Sequence, residues 1–138
     1  MPTNNNIVSI VEDEPDIKTL FYEVLSEALN GFSVVKFCDS VIALEHFRNN
    51  KENYILVVAD WKMPKLDGVE LLSQVKKLNP QVRSMLISAY EIENHPNFQR
   101  YIEKGIIDKF IQKPVRLADL HSIVEKHLKL YMKFKKDV

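Results

Sequence analysis

Five short apolar runs, each too brief to form a helix, alternate along this chain with longer stretches whose apolar residues recur at three- and four-residue spacing. Few folds accommodate that alternation, because parallel strands need long crossovers and the intervening helices supply them. The runs are Ile7 to Val11, Ser33 to Phe37, Tyr54 to Ala59, Arg83 to Ser88 and Ile106 to Ile111. Tyr54 to Ala59 is apolar throughout, the pattern of a strand covered on both faces. The length of 138 residues suits one domain, and a hydrophobic content of 46% suffices to fill one core.

Between the runs the helices read clearly at their starts and stops. The first begins near Glu14, with Pro15 in its first turn, and presents Ile17, Leu20, Phe21, Val24, Leu25 and Ala28 on one face. Asn30-Gly31 closes it through a left-handed cap. Asp39 or Ser40 caps a second helix carrying Ile42, Ala43, Leu44 and Phe47. The third spans about Leu66 to Leu78, with Val69, Leu71, Leu72 and Val75 inward, and ends at Asn79-Pro80. The fourth covers roughly Glu91 to Lys104, or starts later with Pro96 in its first turn and Asn94 as its cap. The fifth runs from about Leu117 to Lys133. The expected fold class is therefore α/β: a doubly wound, five-stranded parallel sheet in the flavodoxin-like order 2-1-3-4-5, with helices on both faces.

Charge and cysteine content exclude several classes. Basic and acidic residues balance at 19 each, so no global field draws the chain to nucleic acid or membrane. Lys126, Lys129, Lys133, Lys135 and Lys136 crowd the last helix, where lysines complement the macrodipole and keep the end solvated; an acidic partner surface is the alternative. Cys38 is the single cysteine, which fits a reducing compartment, and its place at a strand end suggests a buried, inert thiol. The N-terminus is polar and lacks a leader pattern, and no apolar stretch reaches membrane-spanning length. A soluble, cytoplasmic protein is expected: one domain over 1–138, with its core at about 7–130.

The chemistry gathers at the carboxyl ends of the strands. Glu12-Asp13-Glu14 follows the first run, Asp60 the third, Ser88 ends the fourth, and Lys113-Pro114 follows the fifth. Taken singly, each has a plain structural reading: acids complementing a helix start, a turn residue, a strand-end hydroxyl, a surface lysine. Together, at four strand ends of one βα array, they make a site for Mg²⁺ and a phosphoryl group. Adjacent first and third strands would bring Glu12, Asp13 and Asp60 together. A hard divalent cation relieves their repulsion, and Asp60 can then act as a carboxylate nucleophile toward phosphorus. Lys113 supplies a compact cation, Ser88 a hydroxyl donor, and a cis Lys113-Pro114 bond would turn the chain at the pocket.

These residues resemble the receiver domain of two-component response regulators over about Ile7 to Leu130. Glu12-Asp13 matches the metal-binding acid pair, Asp60 the phosphoacceptor, Met63-Pro64 and Gly68 the loop after it, Ser88-Ala89 the switch hydroxyl, Phe110 the switch aromatic, and Lys113-Pro114 the lysine-proline step. The resemblance implies phosphotransfer to Asp60 from a sensor histidine kinase or a histidine phosphotransfer protein. It also implies Mg²⁺ held by Asp13, Asp60 and the backbone carbonyl of Lys62, with Glu12 acting through a metal-bound water. Ser88 and Phe110 would then alter the face of helix four, strand five and helix five for an unidentified downstream protein. Trp61, Lys62 and Tyr90 occupy positions that tune phosphate lifetime in this family.

Departures lie in Glu12 for the commoner aspartate, Ser88 for threonine, and the long segment from Ser88 to Lys113 with Pro96 inside. The expectation is a stand-alone signalling switch, monomer or weak homodimer, that catalyses only its own phosphotransfer and autodephosphorylation. A phosphorylation-independent receiver-like scaffold is the alternative. An aspartyl-phosphate phosphatase is disfavoured by Lys62, where such enzymes commonly carry a second acid, and a flavin-binding protein by the lack of a Ser/Thr/Gly-rich phosphate loop after the first strand.

Overall fold

Strand and helix alternate as the apolar pattern requires in the computed structural model, which describes residues 6–89 and 95–136, with side chains to residue 129. The elements are β1 (Ile7–Val11), α1 (Pro15–Ala28), β2 (Ser33–Phe37), α2 (Ser40–Asn50), β3 (Tyr54–Asp60), α3 (Gly68–Leu78), β4 (Arg83–Ser88), α4 (Phe98–Glu103), β5 (Lys109–Gln112) and α5 (Leu117–Lys136). All strand pairs are parallel, in the order β2-β1-β3-β4-β5. Side chains alternate across the sheet into two apolar layers. Val57 and Ala59 of β3 and Leu86 of β4 join Phe47, Leu72 and Val75 from α2 and α3. Ile55 and Val58 of β3 with Met85 and Ile87 of β4 join Phe21, Leu25, Leu120 and Val124 from α1 and α5. Every residue of β3 from Tyr54 to Ala59 is buried, as its unbroken apolar run demands.

Local chemistry sets the boundaries. Pro15 occupies the first turn of α1, where its missing N–H costs little. Asp39, not Ser40, caps α2, accepting from the amides of Val41 and Ile42. The third helix starts at Gly68 rather than Leu66, because Asp67 and Glu70 form a reciprocal capping box. Strand β5 begins at Lys109 rather than Ile106. Gly105 adopts φ 74°, and the amides of Ile106 and Ile107 both turn back to the carbonyl of Tyr101, so the chain joins the sheet only afterwards. Helix α4 is shorter than the expected Glu91 to Lys104 among the described residues, and α5 extends past Lys133 to Lys136. The expectations placed on Tyr90, on Glu91 to Asn94, and on the side chains of Lys133, Lys135 and Lys136 lie outside the described residues.

Two helical apolar faces prove wider than the core they cover. Leu20 on α1 and Ile42 on α2 are 45% and 58% exposed. Cys38 is exposed rather than buried: it lies just past β2, at the sheet edge, with the Lys18 ammonium 2.9 Å from its sulfur. At the opposite end of the sheet Asp108 binds α3 and β4 to the start of β5. Its carboxylate accepts from Lys76 at 2.6 Å and from the Ser84 amide at 2.9 Å. These charge-assisted bonds are better shielded than a surface pair, since both charged side chains are 15% exposed.

Candidate functional site

The sheet order reverses between β1 and β3, with β2 lying to one side and β4 to the other, so a crevice opens at their carboxyl ends. Main-chain bonds continue the ladder into that crevice and fix each functional side chain. The Glu12 amide donates to the Phe37 carbonyl, the Trp61 amide to Ile87, and the Lys113 amide to Ser88 at 2.8 Å. Asp60 closes β3, paired with Ile87, and Ser88 closes β4, 1% exposed. The Lys113-Pro114 peptide is cis.

Gly68 brings the start of α3 against Asp60. Its amide donates to the Trp61 carbonyl at 2.7 Å, and a Cβ at this position would stand 2.2 Å from the Asp60 carbonyl oxygen. Lys65, in the loop between, holds a left-handed φ of 69° without being glycine. An ion pair from Lys65 to the α2 cap Asp39, at 3.0 Å, spans that loop.

Glu12, Asp13 and Asp60 converge, with one carboxylate oxygen from each lying within 4.8 Å of the others. Lys113 donates to Glu12 at 2.6 Å and to Asp60 at 3.3 Å. Burial is the largest influence on Glu12 and pushes its carboxyl up to about 7; Lys113 pulls the value down and Asp60 adds to the rise. Burial likewise raises Asp60, opposed by Lys113 and reinforced by Asp13. For Lys113 burial works downward, but the bonds and charges of Glu12 and Asp60 outweigh it and the ammonium is held above its usual range. A single ammonium among three carboxylates leaves excess negative charge, and the donor set is all hard oxygen. Those features fit Mg²⁺, which takes carboxylate ligands while keeping waters.

The remaining expected positions lie on neighbouring segments. Lys62 is exposed, with its ammonium 4.0 Å from the centre of the Trp61 ring. Phe110 is half-buried and meets Phe98 of α4 edge-on, with ring centres 5.9 Å apart. An apolar groove of about 460 Å³ opens beside the site, lined by Ile17, Leu20 and Phe21 of α1 and by Lys113, Pro114 and Leu117 among others. Sequence reading missed the groove, which forms where α1 meets the loop before α5. Its signal was present in Leu20, an apolar residue at the edge of the α1 face.

The receiver-domain model matches residues 8–125, and the chain belongs to the response regulator receiver domain family. It is 29% identical over 127 residues to Sporulation initiation phosphotransferase F of Bacillus subtilis, covering 91% of this chain and 96% of that protein. It is 27% identical over 122 residues to the response regulator receiver protein CpdR of Brucella abortus, covering 88% and 95%. A CheY-like receiver domain protein from Methanospirillum hungatei shares the fold at a TM-score of 0.80, with 23% identity and coverage of 93% of this chain and 97% of that one. Receiver domains of two-component systems are signalling switches rather than conventional enzymes. They bind Mg²⁺ at an acidic pocket and interact with histidine kinases or phosphotransfer proteins. No helix among the described residues is long and apolar enough to cross a membrane.

Proposed function

We propose that this chain is a phosphorylation-dependent switch whose acceptor is Asp60, loaded from a histidine kinase or histidine phosphotransfer protein. The observation that carries the reading is the crevice itself: Lys113 bonded to both Glu12 and Asp60, with Asp13 alongside. Asp13, Asp60 and the Lys62 backbone carbonyl would hold Mg²⁺, with Glu12 acting through a water, and the ion would neutralise charge on the transferring phosphoryl oxygens. An Asp60 carboxylate oxygen attacks phosphorus, the bond from phosphorus to the donor histidine nitrogen breaks, and an acyl phosphate forms. Lys113 offsets the added charge, and the Ser88 hydroxyl donates to a phosphoryl oxygen. Movement of Ser88 vacates space for Phe110, so the face of α4, β5 and α5 changes for a downstream protein.

Intact-protein mass spectrometry with a small acyl or amido phosphate donor tests this. One added phosphoryl group is expected, requiring Mg²⁺ and lost in Asp60→Asn. No uptake by a folded, Mg²⁺-binding protein would sink the switch and favour a phosphorylation-independent scaffold.

The groove also supports a route of approach for a protein donor, since Lys113, which bonds Asp60, is among the residues that line it. A helix carrying the donor histidine would bury apolar side chains against Leu20 and Pro114. Leu20→Glu is expected to slow transfer from a phosphotransfer protein by about tenfold, the effect of one interface anchor, while small-donor uptake stays unchanged. Equal slowing with both donors would place Leu20 in the chemistry or the fold, not in docking.

A further inference from the structure

Helix α4 is weakly built by its own sequence. It has six residues, none buried, and Asn97 at its N-cap makes no side-chain capping bond. Its attachments are aromatic. Phe98 and Tyr101, three residues apart and so on one face, both pack against the apolar layer that contains Trp61. Phe98 meets Phe110. Tyr101 meets the ring of His95 with centres 5.9 Å apart, and His95 meets Trp61 edge-on at 5.0 Å and 76°. Trp61 is 5% exposed and directly follows Asp60. His95 also shapes the entry to α4: its Nδ1 accepts from the Asn97 amide at 3.2 Å, and its carbonyl accepts from Phe98 at 3.1 Å.

We propose that Trp61, His95 and Tyr101 form a latch holding α4 to the acceptor loop, with His95 as the positioning residue at its centre, and that loading of Asp60 acts on α4 through it. The role of Asp60 rests on the receiver reading above, whereas the latch stands on the ring geometry. Helix α4 thereby has two anchors of different origin: Phe98 on Phe110 of β5, and Tyr101, through His95, on the residue that follows Asp60. A shift of the Asp60 backbone moves Trp61, and rigid rings in contact, edge-on at Trp61 and tilted at Tyr101, transmit that shift to the first turn of α4. An aromatic ring at 95 is what the geometry requires. Phenylalanine would keep both ring contacts and lose only the side-chain bond from the Asn97 amide.

The test is amide hydrogen exchange across residues 98–107 in wild type, His95→Ala and His95→Phe, each without donor and after incubation with a small phosphate donor and Mg²⁺. Phosphoryl uptake is read separately by intact mass. Without donor, His95→Ala is expected to exchange about tenfold faster over this segment, and His95→Phe to stay near wild type. With donor, wild type and His95→Phe are expected to change exchange here, while His95→Ala takes up the phosphoryl group and shows no further change. Wild-type protection in His95→Ala, or equal loss in both variants, would overturn the latch. A donor-induced change that persists in His95→Ala would overturn its coupling to Asp60. If no variant gains mass, the receiver reading falls and coupling to Asp60 falls with it, while the donor-free arm still decides the latch.

Discussion

Gly68→Ala is expected to destabilise the protein by about 3 kcal/mol or more and to remove most phosphoryl uptake at Asp60. The added Cβ would lie 2.2 Å from the carbonyl oxygen and 2.9 Å from the carbonyl carbon of Asp60, and 2.8 Å from Leu86 Cδ1. Leu86 is fully buried and has little room to yield. Asp60 is fixed by its pairing with β4, so relief requires the Asp60 backbone or the whole start of α3 to move. Either movement breaks the 2.7 Å bond from Gly68 to Trp61 and displaces the Asp60 carboxylate. Gly31→Ala makes the informative contrast. Its φ is +89°, but nothing lies within 4 Å of the new Cβ. That change should cost about 1–2 kcal/mol of backbone strain and leave phosphoryl uptake intact. Urea denaturation and intact-mass phosphorylation read both variants. Wild-type stability and uptake in Gly68→Ala would refute the close approach.

The contrast also marks what was legible in the sequence. The apolar runs located β1, β2 and β4 to the residue and β3 to within one, since each marks a short stretch too brief for a helix even where Ser9, Lys36 or Ser84 interrupts it. The same rule failed for β5. Ile106 and Ile107 are apolar and Ile107 is buried, yet their amides serve the Tyr101 carbonyl instead of the sheet. Apolar character reports burial, not the partner of a backbone amide. The acid cluster was legible because topology sends every strand's carboxyl end to one crevice, so residues far apart in sequence meet by rule. Gly68 was visible as part of a loop pattern, but the approach to Asp60 depends on how α3 docks. The exposure of Leu20 and Ile42 was hidden for a related reason: periodicity gives a face its direction, while the width of the covered part depends on what packs against it. Cys38 is exposed because it follows β2, which the strand order places at the sheet edge.

In the metal-free protein, the Glu12 contribution is expected to lower stability by about 3 kcal/mol as pH rises from about 4.5 through about 7, and Mg²⁺ to reverse that loss. The folded state binds the Glu12 proton more tightly than the unfolded chain does. Its contribution is therefore full below 4.5 and gone above about 7, the reverse of an ordinary salt-bridged carboxylate. Asp60, also raised, acts in the same direction. His127 opposes it: burial, then the charges of Arg83 and Lys109, hold its imidazole below the usual value, so its contribution grows as pH rises through that range. Comparison with Glu12→Gln isolates the carboxyl, since glutamine keeps an oxygen for Lys113 but does not titrate. The difference in unfolding free energy between wild type and Glu12→Gln, followed across this range without metal, should drift against wild type as pH increases. Mg²⁺ competes with the proton for the same cluster, so the stabilisation it brings should be small near pH 5.5 and large near pH 8, as linkage requires. Parallel pH profiles for the two proteins, or Mg²⁺ stabilisation independent of pH, would show that Glu12 is already ionised in the crevice and that Lys113 alone balances the acids.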